Sequence, residues 1–470
     1  MSDIRLFKSL AEKGHESGEV IAADRFLARV KGLDGVMIGS TVVFENGDHG
    51  LVQGITENFV EVLNLSSEII SIGSLVVINT DELTINVSKE MLGRIVNPLG
   101  QAVDDNGIIL KDTQMRVFEQ AIEFKDRQIL STQLETGVTL VDTLFPIVYG
   151  QRIAIMGDAK SGKTTFLSQL AINQAKKGKV IVYVLIGKRK SDIEILLSRF
   201  EKAKVRNKIV FVLADVFDSL PMTYIAPYSG CSIAEFFWHS GEDVIIVYDD
   251  LSSHAKAYRE LSLMMRKNPG REAYPGDMFY VHSSLLERAG KLKKNNKSLT
   301  SLPVSLTPND DITGFLSTTL ISITDGQIIF DNNIMRQGIK PAINVGLSVS
   351  RVGGRGQTPT ARYIARIVSS YLANYRSTIE TSRFVSEQSN ETKSILRIGQ
   401  RIYDMFGQKP DDLYTLIEEQ IMLKVALGSG NIDSLDTQKL KNTVKLLPIK
   451  EKSDNNIDSV VEKLLAKAGQ

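Results

Sequence analysis

The segment best suited to chemistry is a glycine-rich run with the sequence GDAKSGKT, which follows the apolar stretch 153–156 and opens a helical pattern. This is the context that a phosphate-cradling loop requires. The glycines let backbone N–H groups turn toward phosphate oxygens, and the helix N-terminus adds its positive dipole end. Lys163 is expected to reach the β- and γ-phosphates, and Thr164 to ligate Mg²⁺. The predicted nucleoside triphosphate site comprises Gly157, Asp158, Ala159, Lys160, Ser161, Gly162, Lys163 and Thr164.

Two carboxylates, Asp249 and Asp250, follow the apolar run 244–248. In parallel sheets that carry a phosphate loop, such a carboxylate emerges beside the loop and holds the water shell of Mg²⁺. The alternative is that one aspartate only caps the helix that starts at Leu251. We expect both roles, with Asp249 as the Mg²⁺ residue, acting through water.

Hydrolysis of a triphosphate also needs a carboxylate that polarises the attacking water. A natural position for it is the end of the strand after the loop's helix, where the sequence has Lys188, Arg189 and Lys190. A cation can neutralise phosphate charge, but it cannot take a proton from water at neutral pH. The run is either a solvated loop or an element that binds phosphate. If it binds phosphate, Lys188 is the candidate residue for that contact. The sequence therefore predicts a nucleotide site without an obvious base.

The candidate residues lie in a region of alternating strand and helix patterns. Its apolar runs, rich in Val and Ile, are typical of strands buried on both faces, and they cover 152–156, 180–186, 209–214 and 244–248. Helical patterns separate them at 163–177, 191–203 and 232–239. Alternation at this spacing predicts right-handed crossovers and a parallel sheet.

The flanking regions have different patterns. Short β-type runs broken by turn residues predict a small sandwich or barrel over 19–88, with runs at 19–23, 41–44, 59–65 and 75–79. From residue 361 onward the pattern is helical, and 450–456 is polar and linker-like. The last helix has one apolar face, made of Ile457, Val460, Val461, Leu464 and Leu465. We predict three domains: a β-barrel domain over 1–88, a nucleotide domain over 89–361 and a helical domain over 362–470.

Composition excludes several classes of protein. The 470 residues carry a net charge of +1, which gives no reason to expect a nucleic-acid partner. The single cysteine, Cys231, excludes an internal disulfide and fits a reducing compartment. We find no secretory signal and no apolar run of the ~20 residues needed to cross a bilayer. We therefore expect a cytosolic chain whose association with any membrane comes only through partners.

Further segments occur in one order along the chain. They are ARVKGLDGVM from Ala28, LGRIVNPLG from Leu92, YDDLS from Tyr248, REAYPGD from Arg271, LLERA from Leu285, ISITDGQ from Ile321 and VGLSVSRVG from Val345. With the glycine-rich loop, they make the chain resemble the α subunits of rotary F-type ATP synthases over nearly its whole length. The resemblance implies a multi-domain fold: an N-terminal β-barrel, a central α/β RecA-like P-loop domain with a parallel sheet, and a C-terminal α-helical domain.

The resemblance also implies ligands and partners. ATP or ADP with Mg²⁺ would be bound, in a hexameric ring that alternates with β-like catalytic subunits around a γ-like central shaft. The family's α subunits also dock a peripheral stalk through the segment that corresponds to the residues before Gly18, which is shorter here. No nucleic acid is expected, and the membrane is reached only through the complex.

Several residue roles are carried over from the family. At the Lys188 position, the catalytic β subunits have Glu and the α subunits usually Gln, so this chain resembles a non-catalytic subunit. Arg351 is typical of a surface arginine on residue type alone, but it matches the family's arginine finger, which acts in trans on the neighbouring catalytic site. Ser348 matches a nearby serine that is required for activity. Gln408 matches one of two glutamines near the nucleotide base, while Pro410 replaces the other.

Other positions depart from the family. Ala159, Lys160 and Ser161 stand where the α subunits usually have Arg-Gln-Thr. Met335 and Lys340 stand where the base pocket has an aromatic residue and an arginine. We expect Lys160 and Lys188 to add phosphate affinity, and selectivity for the base to loosen.

The first hypothesis is a non-catalytic nucleotide-binding subunit in the head of a proton-coupled ATP synthase. An α-type subunit of an F-type-like ATPase without a standard membrane sector is a variant of it. The second hypothesis is a self-sufficient homohexameric ATPase of the export type. Lys188 is evidence against it, because such an ATPase carries the catalytic glutamate in every subunit. A hexameric RNA helicase is a third, but residues 19–88 offer few aromatics for base stacking beyond Phe26, Phe44 and Phe59.

Overall fold

The computed structural model describes residues 2–66, 68–382, 390–430, 432, 435–448, 452 and 456–468. They form two compact units between which the chain passes more than once. The first unit comprises Met1–Gln128, Gly178–Leu306 and Ile312–Thr324. The second comprises Ile129–Lys177, Thr307–Asp311 and Asp325–Gln470.

The strands of the described residues are β1 (Ser17–Ala23), β2 (Leu27–Lys31), β3 (Thr41–Phe44), β4 (His49–Ile55), β5 (Val60–Asn64), β6 (Leu75–Thr80), β7 (Thr84–Val87), β8 (Ile95–Val96), β9 (Thr113–Arg116), β10 (Gln133–Leu134), β11 (Ile147–Val148), β12 (Ala154–Gly157), β13 (Val180–Lys188), β14 (Ile209–Asp215), β15 (Val244–Asp249), β16 (Gly290–Lys291), β17 (Ser298–Leu306), β18 (Gly326–Ile329) and β19 (Val349–Ser350).

The α-helices are α1 (Ser2–Glu12), α2 (Thr139–Leu144), α3 (Lys163–Lys176), α4 (Lys190–Lys202), α5 (Leu220–His239), α6 (Leu251–Met264), α7 (Met278–Leu286), α8 (Phe315–Ile323), α9 (Asn332–Arg336), α10 (Pro359–Ser382), α11 (Asn390–Phe406), α12 (Leu416–Gly428), α13 (Thr437–Leu446) and α14 (Ile457–Ala468). In the part of the chain that the structure describes, no helix is both long and apolar enough to cross a membrane.

The first unit begins with the predicted β-barrel, which is closed in the order β1-β2-β5-β4-β3-β6. Alternating side chains of its strands fill the interior, as the buried and exposed positions of β1 show. The interior is lined mainly by valines, with Phe44 among them. Helix α1 was not predicted from the sequence, and its Phe7 and Leu10 pack on Val43 and Val77 of the barrel.

The first unit also contains a parallel sheet in the order β17-β15-β13-β14-β8. All six residues of β15 are buried, because helices cover both faces of such a sheet. Parallel neighbours bring their carboxyl ends to one edge, and here Leu185 of β13 pairs with Asp249 of β15. The edge therefore places Lys188, at the end of β13, close to the two aspartates.

One helix of this unit is longer than predicted. The helical pattern predicts a start at residue 232, whereas α5 begins at Leu220 and runs through Pro227. Ser219 caps it by accepting a hydrogen bond from the N–H of Met222. An interior proline costs a helix about 3 kcal/mol. Nearly all of α5 is buried, and the free energy of this burial offsets the cost of the proline. The local pattern of proline and glycine gives no indication of that burial.

In the second unit β12 runs parallel to β18, and β18 pairs with β19 antiparallel. The C-terminal part is helical from Pro359 onward, as predicted. In α14 the side chains of Ile457, Val460 and Val461 are buried, which confirms the inward face predicted for them. Most of the predicted linker 450–456 lies outside the described residues.

Candidate nucleotide-binding site

The glycine-rich loop of the second unit joins β12 to α3, as the sequence predicts. Gly162 precedes the helix with a φ of +104°, a conformation that strongly favours glycine. At Gly157, a Cβ atom would lie 2.7 Å from the backbone oxygen of Phe330. Both glycines are therefore required by the path of the loop, which turns its backbone toward the N-terminus of α3.

Lys160 lies at the tip of this loop and has a φ of +60°. Positive φ is uncommon for residues other than glycine, and such backbone strain is concentrated at ligand sites. Its side chain is exposed, together with that of Ala159. The loop therefore presents an exposed cation at its outer end, consistent with a role in holding phosphate.

Lys163 is 7% exposed and is held by the loop itself. Its Nζ donates to the backbone oxygens of Gly157 at 2.8 Å and Asp158 at 2.6 Å, and to Oγ of Ser161 at 3.3 Å. Asp158 fixes the other side of the loop, because its Oδ2 accepts from the N–H of Asn309 at 3.0 Å. The ammonium is thus positioned at the centre of the turn, where a phosphate group would be enclosed.

A cavity of about 330 Å³ opens over the loop and the start of α3. Its volume is in the range of small-molecule sites. Phe166 and Phe330 form part of its wall, with ring centroids 5.8 Å apart. These two aromatics were not predicted as site residues, since a phenylalanine at a strand end or in a helix is usually a core residue.

The same cavity is also lined by residues that the resemblance assigned to the base pocket: Met335, Lys340, Gln408 and Pro410. A second cavity of about 850 Å³ shares Lys340, Gln408 and Pro410 with the first. The loop cavity therefore adjoins a larger space, and Met335 contributes a flexible thioether to its lining.

Gln408 is held by its own backbone surroundings. Its Oε1 accepts from the N–H of Thr139 at 3.1 Å, and its Nε2 donates to the oxygen of Gly137 at 2.5 Å. The same Nε2 also donates to the oxygen of Asp412. Gln408 thus ties three backbone segments together at the cavity wall, and any contact with a ligand would compete with these bonds.

The first unit brings Lys188 together with both predicted aspartates. Its Nζ lies 2.7 Å from Oδ1 of Asp249 and 3.1 Å from Oδ2 of Asp250. Asp250 also caps α6, since its Oδ1 accepts from the N–H of Ser253 at 2.7 Å. The hydroxyl of Tyr183 donates to Oδ2 of Asp249 at 3.3 Å.

Burial opposes the charge on Lys188, but the carboxylates of Asp249 and Asp250 outweigh it and raise the pKa of the ammonium above its ordinary value. Burial also raises the pKa of Tyr183 well above its usual range, and the Asp249 charge adds to that shift. Both side chains are therefore protonated donors at neutral pH. Neither can remove a proton from water, so the strand end that would carry a general base carries a cation instead.

Ser348 and Arg351 flank β19, which pairs antiparallel with β18 in the second unit. Ser348 is 4% exposed, donates from Oγ to the oxygen of Asn344 at 2.7 Å, and accepts from the N–H of Ile329 at 3.0 Å. Arg351 follows β19, has an exposed side chain, and donates its N–H to the oxygen of Asp325 at 3.0 Å. The serine thus fixes the start of β19, and the arginine follows the end of that strand.

The two predicted Mg²⁺ residues differ in how well they fit that role. Thr164 is exposed at the second position of α3, where its hydroxyl is accessible to a cation beside a phosphate. Asp249 is 5% exposed, and its carboxylate already binds an ammonium and a phenol. The residues of the second unit fit a nucleotide with its cation, whereas the acidic pair of the first unit does not offer a divalent cation an open carboxylate.

Comparison with known proteins agrees with this geometry. Residues 137–350 match the nucleotide-binding domain of the ATP synthase alpha/beta family, and residues 357–467 match the C-terminal domain of the same family.

Curated relatives extend the match over most of the chain. An ATP synthase subunit alpha from Clostridium acetobutylicum is 39% identical, over 90% of this chain and 85% of the relative. An ATP synthase subunit alpha from Neorickettsia sennetsu is 38% identical, over 92% of this chain and 87% of the relative. An ATP synthase subunit alpha from Caldanaerobacter subterraneus subsp. tengcongensis is 40% identical, over 91% of this chain and 85% of the relative. The chain therefore belongs to the ATP synthase alpha/beta family, and within it to the alpha subunits of the F type.

Proposed function

We propose that this chain is a non-catalytic nucleotide-binding subunit of the ATP synthase head. It would hold ATP or ADP with the loop 157–164, with Mg²⁺ at Thr164. It would also lend Arg351 to the catalytic site of a β-like neighbour during ATP synthesis and hydrolysis coupled to a proton gradient.

One observation carries the proposal: a complete phosphate loop exists in a chain whose base position is occupied by a paired lysine. The loop has its glycines, its central ammonium and an adjoining cavity of about 330 Å³. Lys188 stands where hydrolysis would need a carboxylate, and its charge is compensated by Asp249 and Asp250. Binding is thereby supported, and turnover by this chain alone is not.

The partners follow from the relatives, which are named as subunits of ATP synthase. We propose β-like catalytic subunits that alternate with this chain in a hexameric ring, a γ-like central shaft, and a peripheral stalk. The chain would then lie at the cytoplasmic side of the cell membrane, attached only through the complex. Identification of the co-purifying subunits tests this arrangement, and it would also reveal an F-type-like ATPase without a standard membrane sector.

The isolated chain is expected to bind ATP and to hydrolyse it negligibly. The loop supplies phosphate contacts, but Lys188 and Tyr183 cannot accept a proton from water. Equilibrium dialysis measures the binding, and phosphate release measures turnover, on chain shown by mass spectrometry to be free of a β-like partner. Robust turnover would favour the self-sufficient homohexameric ATPase instead.

The matched variants of this experiment are Lys163→Ala and Lys176→Ala, at opposite ends of α3. Removing Lys163 deletes the counter-charge nearest the phosphates and should weaken ATP binding roughly 100-fold. Lys176 is exposed in the last turn, and its removal should leave affinity unchanged. Equal loss in both variants would argue against phosphate binding at this loop.

We expect weak selectivity between nucleotide bases. Met335 is softer and less planar than an aromatic, and Lys340 cannot stack as arginine does. The amide of Gln408 is occupied by backbone groups and is poorly placed to distinguish bases. Dissociation constants for ATP and GTP should differ by less than about tenfold, because apolar contact tolerates any base. A much stronger preference for ATP in the same titration would show that other groups read the base.

A further inference from the structure

Two buried carboxyl groups of the second unit lie against each other. Asp142 in α2 is 3% exposed and Glu419 in α12 is 2% exposed, and the two are within hydrogen-bonding range. Both line a cavity of about 20 Å³, which is large enough for one water molecule. Oε1 of Glu419 is buried and has no hydrogen-bond partner among the described residues. Two carboxyls in such contact do not ionise together, because each negative charge disfavours the other.

The charges nearest the pair are negative and have counter-ions of their own. Glu135 pairs with Lys177 at 2.7 Å, and Glu418 pairs with Lys452 at 2.7 Å. Helices α10, α11, α13 and α14 pack against α2 or α12. Their charged side chains also have partners elsewhere, as is seen for Arg362, Arg366, Arg397, Arg401, Lys441, Lys445 and Asp458. The surroundings therefore oppose a second negative charge on the pair.

The two carboxyls differ in how strongly they hold a proton. Burial raises the pKa of Glu419 well above its usual range, and the charge of Asp142 adds to that shift. Burial also raises the pKa of Asp142, to about 7, although two backbone N–H groups oppose the shift. Glu419 therefore keeps its proton at neutral pH, and the exchangeable proton of the pair belongs to Asp142.

Asp142 holds the segment 136–139, which precedes and begins α2. Its Oδ1 accepts from the N–H of Thr136 at 2.9 Å, and its Oδ2 accepts from the N–H of Gly137 at 2.8 Å. An ionised carboxylate is the stronger acceptor for both N–H groups. A proton on Asp142 weakens these bonds, because one oxygen then becomes a donor.

The same segment forms part of the wall of the nucleotide cavity. The oxygen of Gly137 accepts from Nε2 of Gln408 at 2.5 Å, and the N–H of Thr139 donates to Oε1 of Gln408 at 3.1 Å. Val138 and Gln408 both line the cavity over the loop 157–164. A continuous set of hydrogen bonds within one unit therefore joins the carboxyl pair to this wall.

We infer that the Asp142–Glu419 pair is a proton-binding site that controls the wall of the nucleotide cavity. Uptake of a proton loosens the segment 136–139, so the chain binds nucleotide less tightly in acid. The inference rests on the proposed nucleotide binding and adds a regulating ligand, the proton, to it. Since the two binding events are reciprocal, ATP binding should release a proton from the pair.

The test is ATP binding by the full chain in excess Mg²⁺, followed by isothermal titration calorimetry. The dissociation constant should be roughly tenfold larger at pH 6 than at pH 8, because the fraction of chain with an ionised Asp142 falls by about that factor. At pH 7, titrations in buffers of different ionisation enthalpy should show release of about half a proton per ATP bound.

Three variants assign the effect to the pair. Asp142→Asn is neutral at every pH and should bind ATP weakly without releasing the proton. Glu419→Gln keeps a donor in place of the protonated carboxyl and should preserve the pH dependence. Glu462→Gln, at an exposed side chain of α14, is the control and should behave as the unaltered chain does. The terminal phosphate of ATP also takes up a proton near pH 6, but it does so equally with every variant.

A spectroscopic measurement decides the question if Asp142→Asn does not fold. In the unaltered chain labelled with ¹³C at the aspartate carboxyls, one resonance should titrate near pH 7, and ATP should move its midpoint to lower pH. The absence of such an aspartate would overturn the inference.

The outcomes separate this inference from the proposed function. Equal ATP affinity of the unaltered chain at pH 6 and pH 8 would overturn the inference and leave nucleotide binding intact. The absence of ATP binding at every pH would overturn the proposed function itself. An undiminished pH dependence and proton release in Asp142→Asn would show that another group takes up the proton.

Discussion

Replacing Arg351 with alanine is expected to slow ATP hydrolysis by the assembled ring by about 10³–10⁵-fold, the range that arginine fingers contribute. A guanidinium makes planar, bidentate contacts to phosphate oxygens and acts on the charge that develops in the transition state. Because it would act on a neighbour's site, its loss should leave this chain's own nucleotide binding and ring assembly unchanged.

Hydrogen bonds around β19 support such a role, because they fix the backbone on both sides of the arginine. Ser350 donates from Oγ to the oxygen of Pro146 at 2.6 Å, and Gly353 donates its N–H to the same Oγ at 3.2 Å. Ser348 holds the strand before it through Asn344 and Ile329. We therefore propose that Ser348 is a positioning residue for Arg351.

The measurement is the steady-state ATPase rate of the ring reconstituted with its β-like partner, after size-exclusion chromatography has shown correct assembly. Arg351→Lys keeps the positive charge but loses the planar guanidinium that makes bidentate contacts, so its ATPase rate should also be severely reduced. Arg355→Ala is the matched control, because Arg355 is exposed in the same glycine-rich stretch. Near-normal turnover by an assembled Arg351→Ala ring would show that Arg351 is only a surface arginine.

The architecture was predictable because its signals are local. Val-rich runs gave the parallel strands β13, β14 and β15, and the chain alternates as buried parallel sheets require. The predicted secondary structure was wrong where tertiary packing overrides the local helix propensity. The first twelve residues of α5 contain Pro221, Pro227 and Gly230, and only their burial against the rest of the unit explains a helix there.

The candidate site was predictable in residue type and less so in contacts. The loop 157–164 is a sequence motif, so its strand-to-helix context followed from the pattern. The contacts of Lys188 could not be predicted from the sequence. Whether its ammonium contacts a phosphate or a carboxylate depends on which strand ends are neighbours in the sheet. Register between β13 and β15 decides this, and it places Lys188 against Asp249 and Asp250. The wall residues Phe166 and Phe330 carry no signal that separates them from core aromatics.

Breaking the buried ion pair between Arg288 and Glu235 is expected to destabilise the first unit by about 3–5 kcal/mol, as an uncompensated buried charge does. Arg288 is 1% exposed and contacts Glu235 at two points, with Nε to Oε1 at 2.8 Å and Nη2 to Oε2 at 2.6 Å. It also donates to the oxygen of Val117 at 2.8 Å and to Oγ of Ser232 at 3.0 Å. Arg288→Met removes all of these donors and leaves the Glu235 carboxylate buried in α5.

The loss should be visible in urea denaturation monitored by Trp238, the only tryptophan of the chain, which lies buried in the same unit. Arg288→Met combined with Glu235→Leu replaces the pair by apolar groups of similar size and should recover most of the stability, because the unpaired charge is gone. Arg116→Met is the matched control, since Arg116 pairs with Glu82 at the surface and such pairs contribute about 0–1 kcal/mol. A loss in Arg288→Met no larger than that in Arg116→Met would mean that water reaches Glu235 and that the pair is not buried in solution.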